Sequence, residues 1–279
     1  MNLSIYDDFI KRELNDDGAY NDITTNSIIA KNSKSTAEII SKDNGIIAGT
    51  GIFNRTFELL EDASSEFNVS DGDLVTKGQV IGNVHGNTRS LLSGERTALN
   101  LLQMLSGIAT TTYNLSKKLD GTGVKLLDTR KTTPGMRLLE KYAVKVGGGF
   151  NHRFGLSDGI LIKDNHIDAA GSIKNAVHLA RKNSSFVRKI EVETETLEEV
   201  KEAIEAKADI IMLDNMDADT IKAAVQLIDK KALIEVSGNI TYENIKEKAV
   251  IGVDYISSGM LTHSFKVLDI SMKNLRNEN

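Results

Sequence analysis

The sequence predicts an α/β protein: an incomplete (β/α) TIM-like barrel preceded by a small α/β (α+β sandwich) N-terminal domain. Three observations carry this expectation. Six short apolar runs recur after Gly121, each followed by a turn and a helical pattern; runs that are apolar almost throughout suit parallel strands covered on both faces. Residues 1–104 instead mix a helical period with turn-punctuated β patterns. Units of roughly 20–35 residues fit a barrel, here with fewer than eight strands, and no Gly-x-Gly-x-x-Gly or phosphate-loop signature supports an open doubly wound sheet.

Taken in order, residues 6–14 have a helical period, and residues 35–47 and 67–84 read as strands with glycines at their turns. A long helix is expected over about 94–119, with Leu99, Leu102 and Leu105 on its apolar face. The barrel strands are expected at 124–128, 159–163, 189–193, 209–214, 232–237 and 253–258. Thr196 and Glu199 have the spacing of a capping box opening a helix to Lys207, and Thr241 is expected to cap a helix over 242–248. Pro134, the only proline, begins a Pro-Gly turn that would aim Arg130 and Lys131. The domain division expected is 1–104, followed by 105–265 for the barrel.

Composition excludes several classes of function. The 279 residues carry 34 basic and 39 acidic side chains, a net charge of −5, and no cysteine. Disulfides, thiol nucleophiles and thiolate metal sites are therefore absent. An acidic chain with 5% aromatics and no Trp lacks the basic, ring-bearing surface that nucleic acids require. The first residues show no signal-peptide pattern, and no apolar run approaches the ~20 residues of a membrane helix. A cytoplasmic protein is expected, with neither a nucleic-acid nor a membrane partner.

Within this acidic chain, residues 125–163 hold eight basic side chains against three acidic ones. They sit at element ends beside Gly, Thr and His, not along one helical stripe, which points to an anion site more than to a solvated face. The six expected strands end in Asp128 to Lys131, Lys163, Glu193, Asp214, Ser237 and Ser258. In a barrel these ends converge on one face, where active sites lie. Arginine forks capture carboxylates or phosphates in bidentate fashion, and lysine acts as a point charge. Ser237-Gly238-Asn239 and Ser258-Gly259-Met260 offer backbone N–H groups to a phosphate. Glu193 and Asp214 would meet hydroxyls, a metal ion or developing positive charge. A sugar phosphate carrying Mg²⁺ fits this inventory. A Schiff-base role for Lys163 lacks the other groups it would need.

Three stretches then carry a family resemblance: Asp128-Thr-Arg-Lys-Thr-Thr-Pro-Gly-Met-Arg-Leu-Leu-Glu-Lys-Tyr-Ala-Val, Gly147-Gly-Gly-Phe-Asn-His-Arg-Phe-Gly-Leu and Leu161-Ile-Lys-Asp-Asn-His. Together with Ser93-Gly-Glu-Arg-Thr-Ala, Glu191-Val-Glu, Met212-Leu-Asp-Asn and the two Ser-Gly turns, the chain resembles the quinolinate phosphoribosyltransferases, type II phosphoribosyltransferases. The resemblance implies that residues 266–279 pack back on the first domain, and that the protein transfers the phosphoribosyl group of phosphoribosyl pyrophosphate to quinolinate with decarboxylation. The products would be nicotinate mononucleotide, a precursor of NAD, with pyrophosphate and CO₂. It also implies that Arg130, His152, Arg153 and Lys163 hold quinolinate, with Arg96 reaching in from the partner subunit of a homo-oligomer, a dimer or dimer-based assembly. Thr129 would bind substrate, Lys131 would hold pyrophosphate or phosphate oxygens, and Lys131, Glu193 and Asp214 would be catalytic. Glu193 and Asp214 would also bind ribose hydroxyls or Mg²⁺, and Ser237, Gly238, Asn239, Ser258, Gly259 and Met260 would cradle the 5′-phosphate. A related transferase acting on nicotinate or another aromatic acid, and a non-catalytic sensor of an anionic metabolite, are the alternatives. The His152-Arg153 pair and Arg96 favour quinolinate, whose second carboxylate needs extra cations.

Overall fold

Strand β1 (Lys34–Ser41) alternates buried and accessible residues along most of its length, the pattern of a strand with one face on a core. It lies in a four-stranded antiparallel sheet of order β12-β1-β5-β3 with β3 (Ala63–Phe67), β5 (Val80–Asn87) and the C-terminal strand β12 (Ile270–Asn277). The computed structural model describes residues 3–278. The chain divides into two compact units, Met1–Thr111 with Phe265–Asn279, and Thr112–Ser264.

In the first unit, α1 (Asp7–Asp16) realises the early helical period, α2 (Ile23–Ile28) is capped by the Asp22 carboxylate accepting from Thr25 N–H at 2.9 Å, and β2 (Gly45–Ile46) pairs with β4 (Leu74–Val75). Helix α3 (Thr50–Glu58) contributes Phe53 and Phe57 to the core, with Phe53 in edge-on contact with Phe57 and Phe67. Helix α4 (Thr88–Lys118) buries Leu99, Leu102 and Leu105 as expected, but begins six residues before Gly94. The Asn87 side chain accepts from Arg89 N–H and so starts it. Gly94 lies within the helix because a Cβ there would come 2.6 Å from Leu60 Cδ1.

In the second unit, six parallel strands follow one another: β6 (Lys125–Leu127), β7 (Ile160–Ile162), β8 (Ile190–Thr194), β9 (Ile210–Asp214), β10 (Leu233–Ser237) and β11 (Tyr255–Ser257). Each coincides with one of the six apolar runs. Their order, β6-β11-β10-β9-β8-β7, is cyclic, with the break between the first and second strands. This is a six-stranded, incomplete (β/α) barrel. At the break, Leu127 bridges Phe150 in parallel fashion, so the segment after α5 (Arg137–Val146) passes through the gap.

Helices α6 (Asp164–Ala170), α7 (Ile173–Asn183), α8 (Leu197–Glu205) and α9 (Ala218–Ile228) complete the alternation. Thr196 and Glu199 form the reciprocal capping box of α8. The helix expected over 242–248 is shorter: α10 (Ile245–Lys248) starts after Asn244, whose side-chain oxygen accepts from Thr241 N–H at 2.9 Å. That bond closes a turn, and the helix begins one turn later. Helix α11 (Met260–His263) follows β11. Among the described residues, no helix is long and apolar enough to cross a membrane.

Candidate active site

Alternation along the barrel strands builds the site. On β8, Ile190 and Val192 are buried apolar residues, whereas Glu191 and Glu193 project from the opposite side of the strand. The same two-residue step places Leu161 below Lys163, Met212 below Asp214, and Glu235 below Ser237. The carboxyl ends of the strands therefore surround a cavity of about 400 Å³ whose wall includes Glu193 and these three pairs, but not Glu191. Thr129, Arg130, Lys131, His152, Arg153 and Ser257 complete the lining.

The cations come from the loop after β6 and from the segment in the barrel gap. Thr133–Met136 is a type II turn: Met136 N–H donates to Thr133 C=O at 3.0 Å, Pro134 precedes Gly135, and Gly135 has φ +80°. The buried Glu140 accepts from Thr133 N–H at 3.2 Å, and burial raises its carboxyl pKa. Arg137 ties the loop down, donating to Thr132 Oγ1, Arg130 C=O and Phe154 C=O. Arg130 is thereby held in the cavity wall with Nε buried and without a hydrogen-bond partner. Burial first, and then the charge of Arg130, lower the pKa of Arg153, with Glu191 opposing.

A buried ion pair supports this side. Asp128, fully buried, receives Lys141 Nζ, Asn151 Nδ2 and the backbone N–H of His152. Lys141 Nζ also donates to His152 C=O at 3.0 Å. Burial raises the Asp128 pKa, and the ammonium and hydrogen bonds only partly offset this. Asp128 thus anchors residues 151–153 and lies outside the cavity lining. On the facing wall, Lys163 Nζ is ion-paired with Glu193 Oε2, and Asp214 accepts from Asn215 Nδ2 at 2.6 Å. Glu193 and Asp214, two carboxylates lining one cavity, are oxygen donors of the kind that would fit Mg²⁺ if substrate phosphates supplied its remaining ligands.

His152 sits lower, between cavity and core. Its Nδ1 accepts the Arg153 N–H at 2.7 Å, while Nε2 lies 3.1 Å from Glu191 Oε2 and 3.4 Å from Glu235 Oε2. Burial disfavours a charged ring, but the two carboxylates outweigh it and push the pKa up to about 10. Burial also raises Glu191, and Glu235 adds to this. The Arg153 N–H points at Nδ1, so the ring N–H that faces the two carboxylates is the one on Nε2. His152, Glu191 and Glu235 are close enough together to surround a metal ion. A metal-bound histidine donates from its second nitrogen, however, and here that nitrogen accepts.

Of the expected site residues, Thr129, Arg130, Lys131, His152, Arg153, Lys163, Glu193, Asp214 and Ser237 line the cavity. Gly238, Asn239, Ser258, Gly259 and Met260 do not. Gly238 (φ +90°) and Asn239 (φ +50°) form a left-handed turn beside Asn215. Ser258 is committed to the barrel, its hydroxyl donating to Ile240 C=O and its N–H to Leu127 C=O. Gly259 and Met260 begin α11. Arg96 is exposed on α4 in the first unit. The sequence reading missed Leu161, Met212, Glu235 and Ser257; the two-residue step down from Lys163, Asp214 and Ser237 is the signal that finds the first three.

These features define a class: a (β/α) barrel whose carboxyl-end cavity, with a buried and unpaired guanidinium N–H, is built to take a polyanion. Two family models match, "Quinolinate phosphoribosyl transferase, N-terminal domain" over residues 22–106 and "Quinolinate phosphoribosyl transferase, C-terminal domain" over residues 108–273. A Bacillus subtilis protein named probable nicotinate-nucleotide pyrophosphorylase (carboxylating) is 52% identical over 252 residues, 90% of this chain and 87% of its own. The crystal structure of NadC from Streptococcus pyogenes is 44% identical with a TM-score of 0.96, covering 100% of this chain and 99% of that one. The nicotinate-nucleotide pyrophosphorylase structure from Francisella tularensis is 42% identical with a TM-score of 0.93, covering 99% and 98%. The chain belongs to the quinolinate phosphoribosyl transferase family.

Proposed function

We propose that this protein transfers the phosphoribosyl group of phosphoribosyl pyrophosphate to quinolinate and releases CO₂, forming nicotinate mononucleotide for NAD synthesis. The buried Arg130 Nε without a partner carries this reading. An unsatisfied guanidinium donor is costly unless a ligand completes it, and a carboxylate is the group its fork matches. Family membership and the carboxylating enzymes among its relatives support the same reaction.

Quinolinate's two carboxylates would lie against Arg130, Arg153 and Lys163. His152 would shape the floor, since both its ring nitrogens are engaged. The pyridine nitrogen attacks the ribose C1, and the C1–O bond to pyrophosphate breaks with its electron pair on oxygen. Lys131 and Thr129 would hold phosphate oxygens. Glu193 and Asp214 would bind ribose hydroxyls and stabilise the oxocarbenium character that develops as pyrophosphate leaves. The turns at Ser237-Gly238-Asn239 and Ser258-Gly259-Met260 would approach the 5′-phosphate with those backbone N–H groups the fold leaves free. The C2–carboxylate bond then breaks, its electron pair remaining beside the positive ring nitrogen before a proton is taken up. Mg²⁺, held by Glu193 and Asp214, would supply charge neutralisation to the pyrophosphate.

In this reading Arg96 completes the quinolinate site from the partner subunit of a dimer or dimer-based assembly, and the enzyme works in the cytoplasm. The test mixes protein, Mg²⁺ and phosphoribosyl pyrophosphate with quinolinate or with nicotinate, and follows nicotinate mononucleotide and CO₂. Product from quinolinate alone is expected. Turnover of nicotinate would assign the sister activity, and tight quinolinate binding without turnover would make the protein a sensor.

A further inference from the structure

A second cavity of about 550 Å³ opens at the amino ends of the barrel strands. It shares His152, Arg153 and Glu235 with the catalytic cavity, so these side chains form the partition between the two. Glu235 is 2% exposed and Glu191 4%. Burying two carboxylates side by side is expensive, and a fold that needed only to fill this layer would use apolar side chains. It does so at the cross-strand neighbours, where Leu161 pairs with Glu191 and Met212 with Glu235.

The bonds leaving the pair run in one direction. Both carboxylates flank the N–H on His152 Nε2, at 3.1 and 3.4 Å, and each keeps its other oxygen free of hydrogen bonds. The ring they hold accepts, through Nδ1, the backbone N–H of Arg153. The Arg153 guanidinium donates to Gly159 C=O at 2.9 Å and lines the catalytic cavity. Residues 151–153 occupy the barrel gap, where no strand ladder fixes their backbone.

We propose that Glu235 is a positioning residue for capture of the dicarboxylate substrate: with Glu191 it grips the His152 ring, and through the ring it sets the backbone and the aim of Arg153. This role rests on the quinolinate reading above. The grip replaces the ladder bonds this segment lacks, and it reaches substrate only through His152 and Arg153.

Two replacements of the same size separate this role from space filling. Glu235→Gln keeps an acceptor for the Nε2–H and offers an N–H to Glu191; Glu235→Leu keeps the volume and removes both. With purified enzyme, Mg²⁺ and both substrates, the glutamine variant should stay within threefold of the parent in every constant. The leucine variant should raise the KM for quinolinate tenfold or more, with kcat and the KM for phosphoribosyl pyrophosphate within threefold. An unchanged quinolinate KM in the leucine variant, or equal rises in both KM values, overturns the proposal.

Should the leucine variant not fold, the unaltered protein still gives an answer. Nitrogen-15 spectra of its histidines should show His152 with a proton fixed on Nε2. A ring whose Nε2 carries no proton, or that averages between tautomers, overturns the grip. Failure of the parent to turn quinolinate over removes the reaction, and the substrate role with it, while the ring spectrum separately decides whether the grip exists.

Discussion

Glu193 and Glu191 lie two residues apart on one strand and are put to different uses. Glu193 faces the cavity, ion-paired with Lys163, and in the proposed reaction it would also face the positive charge that develops on the ribose as pyrophosphate departs. Replacing it with Gln should therefore lower kcat roughly 100-fold and leave the quinolinate KM within about threefold. A loss confined to quinolinate affinity would remove it from that role. Glu191 belongs to the buried cluster, which holds a proton the unfolded chain gives up. Burial works against that proton, but the carboxylates carry the His152 pKa up to about 10, from roughly 6.5 in an unfolded chain. The folded state binds more protons across this interval, so the cluster's stabilisation is complete below the lower value and declines as pH rises through the upper one. Thermal midpoints measured from pH 6 to 10 should fall for the parent and flatten for His152→Leu; parallel curves would contradict the shared proton. Residue types at strand ends made Arg130, Lys163 and Asp214 legible in the sequence. Glu235 was not, because a glutamate alternating with apolar residues also describes an ordinary solvent-facing strand, and only the closed curvature of the sheet turns that face inward.

Elements were legible wherever a local chemical signal sets them. The six strands announce themselves by apolar runs, and α8 by a reciprocal cap. The start of α4 was misplaced because Gly94 reads as a helix boundary while serving close packing against Leu60 and Phe57. The turn after β10 is set by geometry at Gly238, whose φ is +90° and where a Cβ would come 2.3 Å from Asn215 Oδ1. Gly238→Ala should cost about 1–3 kcal/mol in denaturant unfolding. A neutral substitution would mean that Asn215 moves aside freely.

At the scale of the whole molecule, the cavity is lined entirely by residues of the second unit, whereas Arg96 lies on α4 in the first. If Arg96 acts across a subunit interface, a chain carrying Arg96→Ala mixed with one carrying Lys163→Ala should regain activity, since some heterodimeric sites receive both native side chains. Co-expression that restores nothing would rule out the shared site. Assembly of this kind leaves no periodic mark in one chain, which is why the sequence alone gives only the candidate residue.

In the proposed reaction, the break between β6 and β7 would sort the two substrates by how their binding groups are held. Glu193, Asp214 and Ser237 ride on strands locked in register, so the side of the pocket proposed for the ribose is as rigid as the sheet. His152 and Arg153 hang in the seam on one backbone bridge and a handful of side-chain bonds. Single substitutions there can reshape the acid-binding half without shifting any strand. In the proposed reaction the fold thus separates the sugar-phosphate chemistry from the choice of aromatic acid, and substitutions that alter acid specificity should collect in the seam.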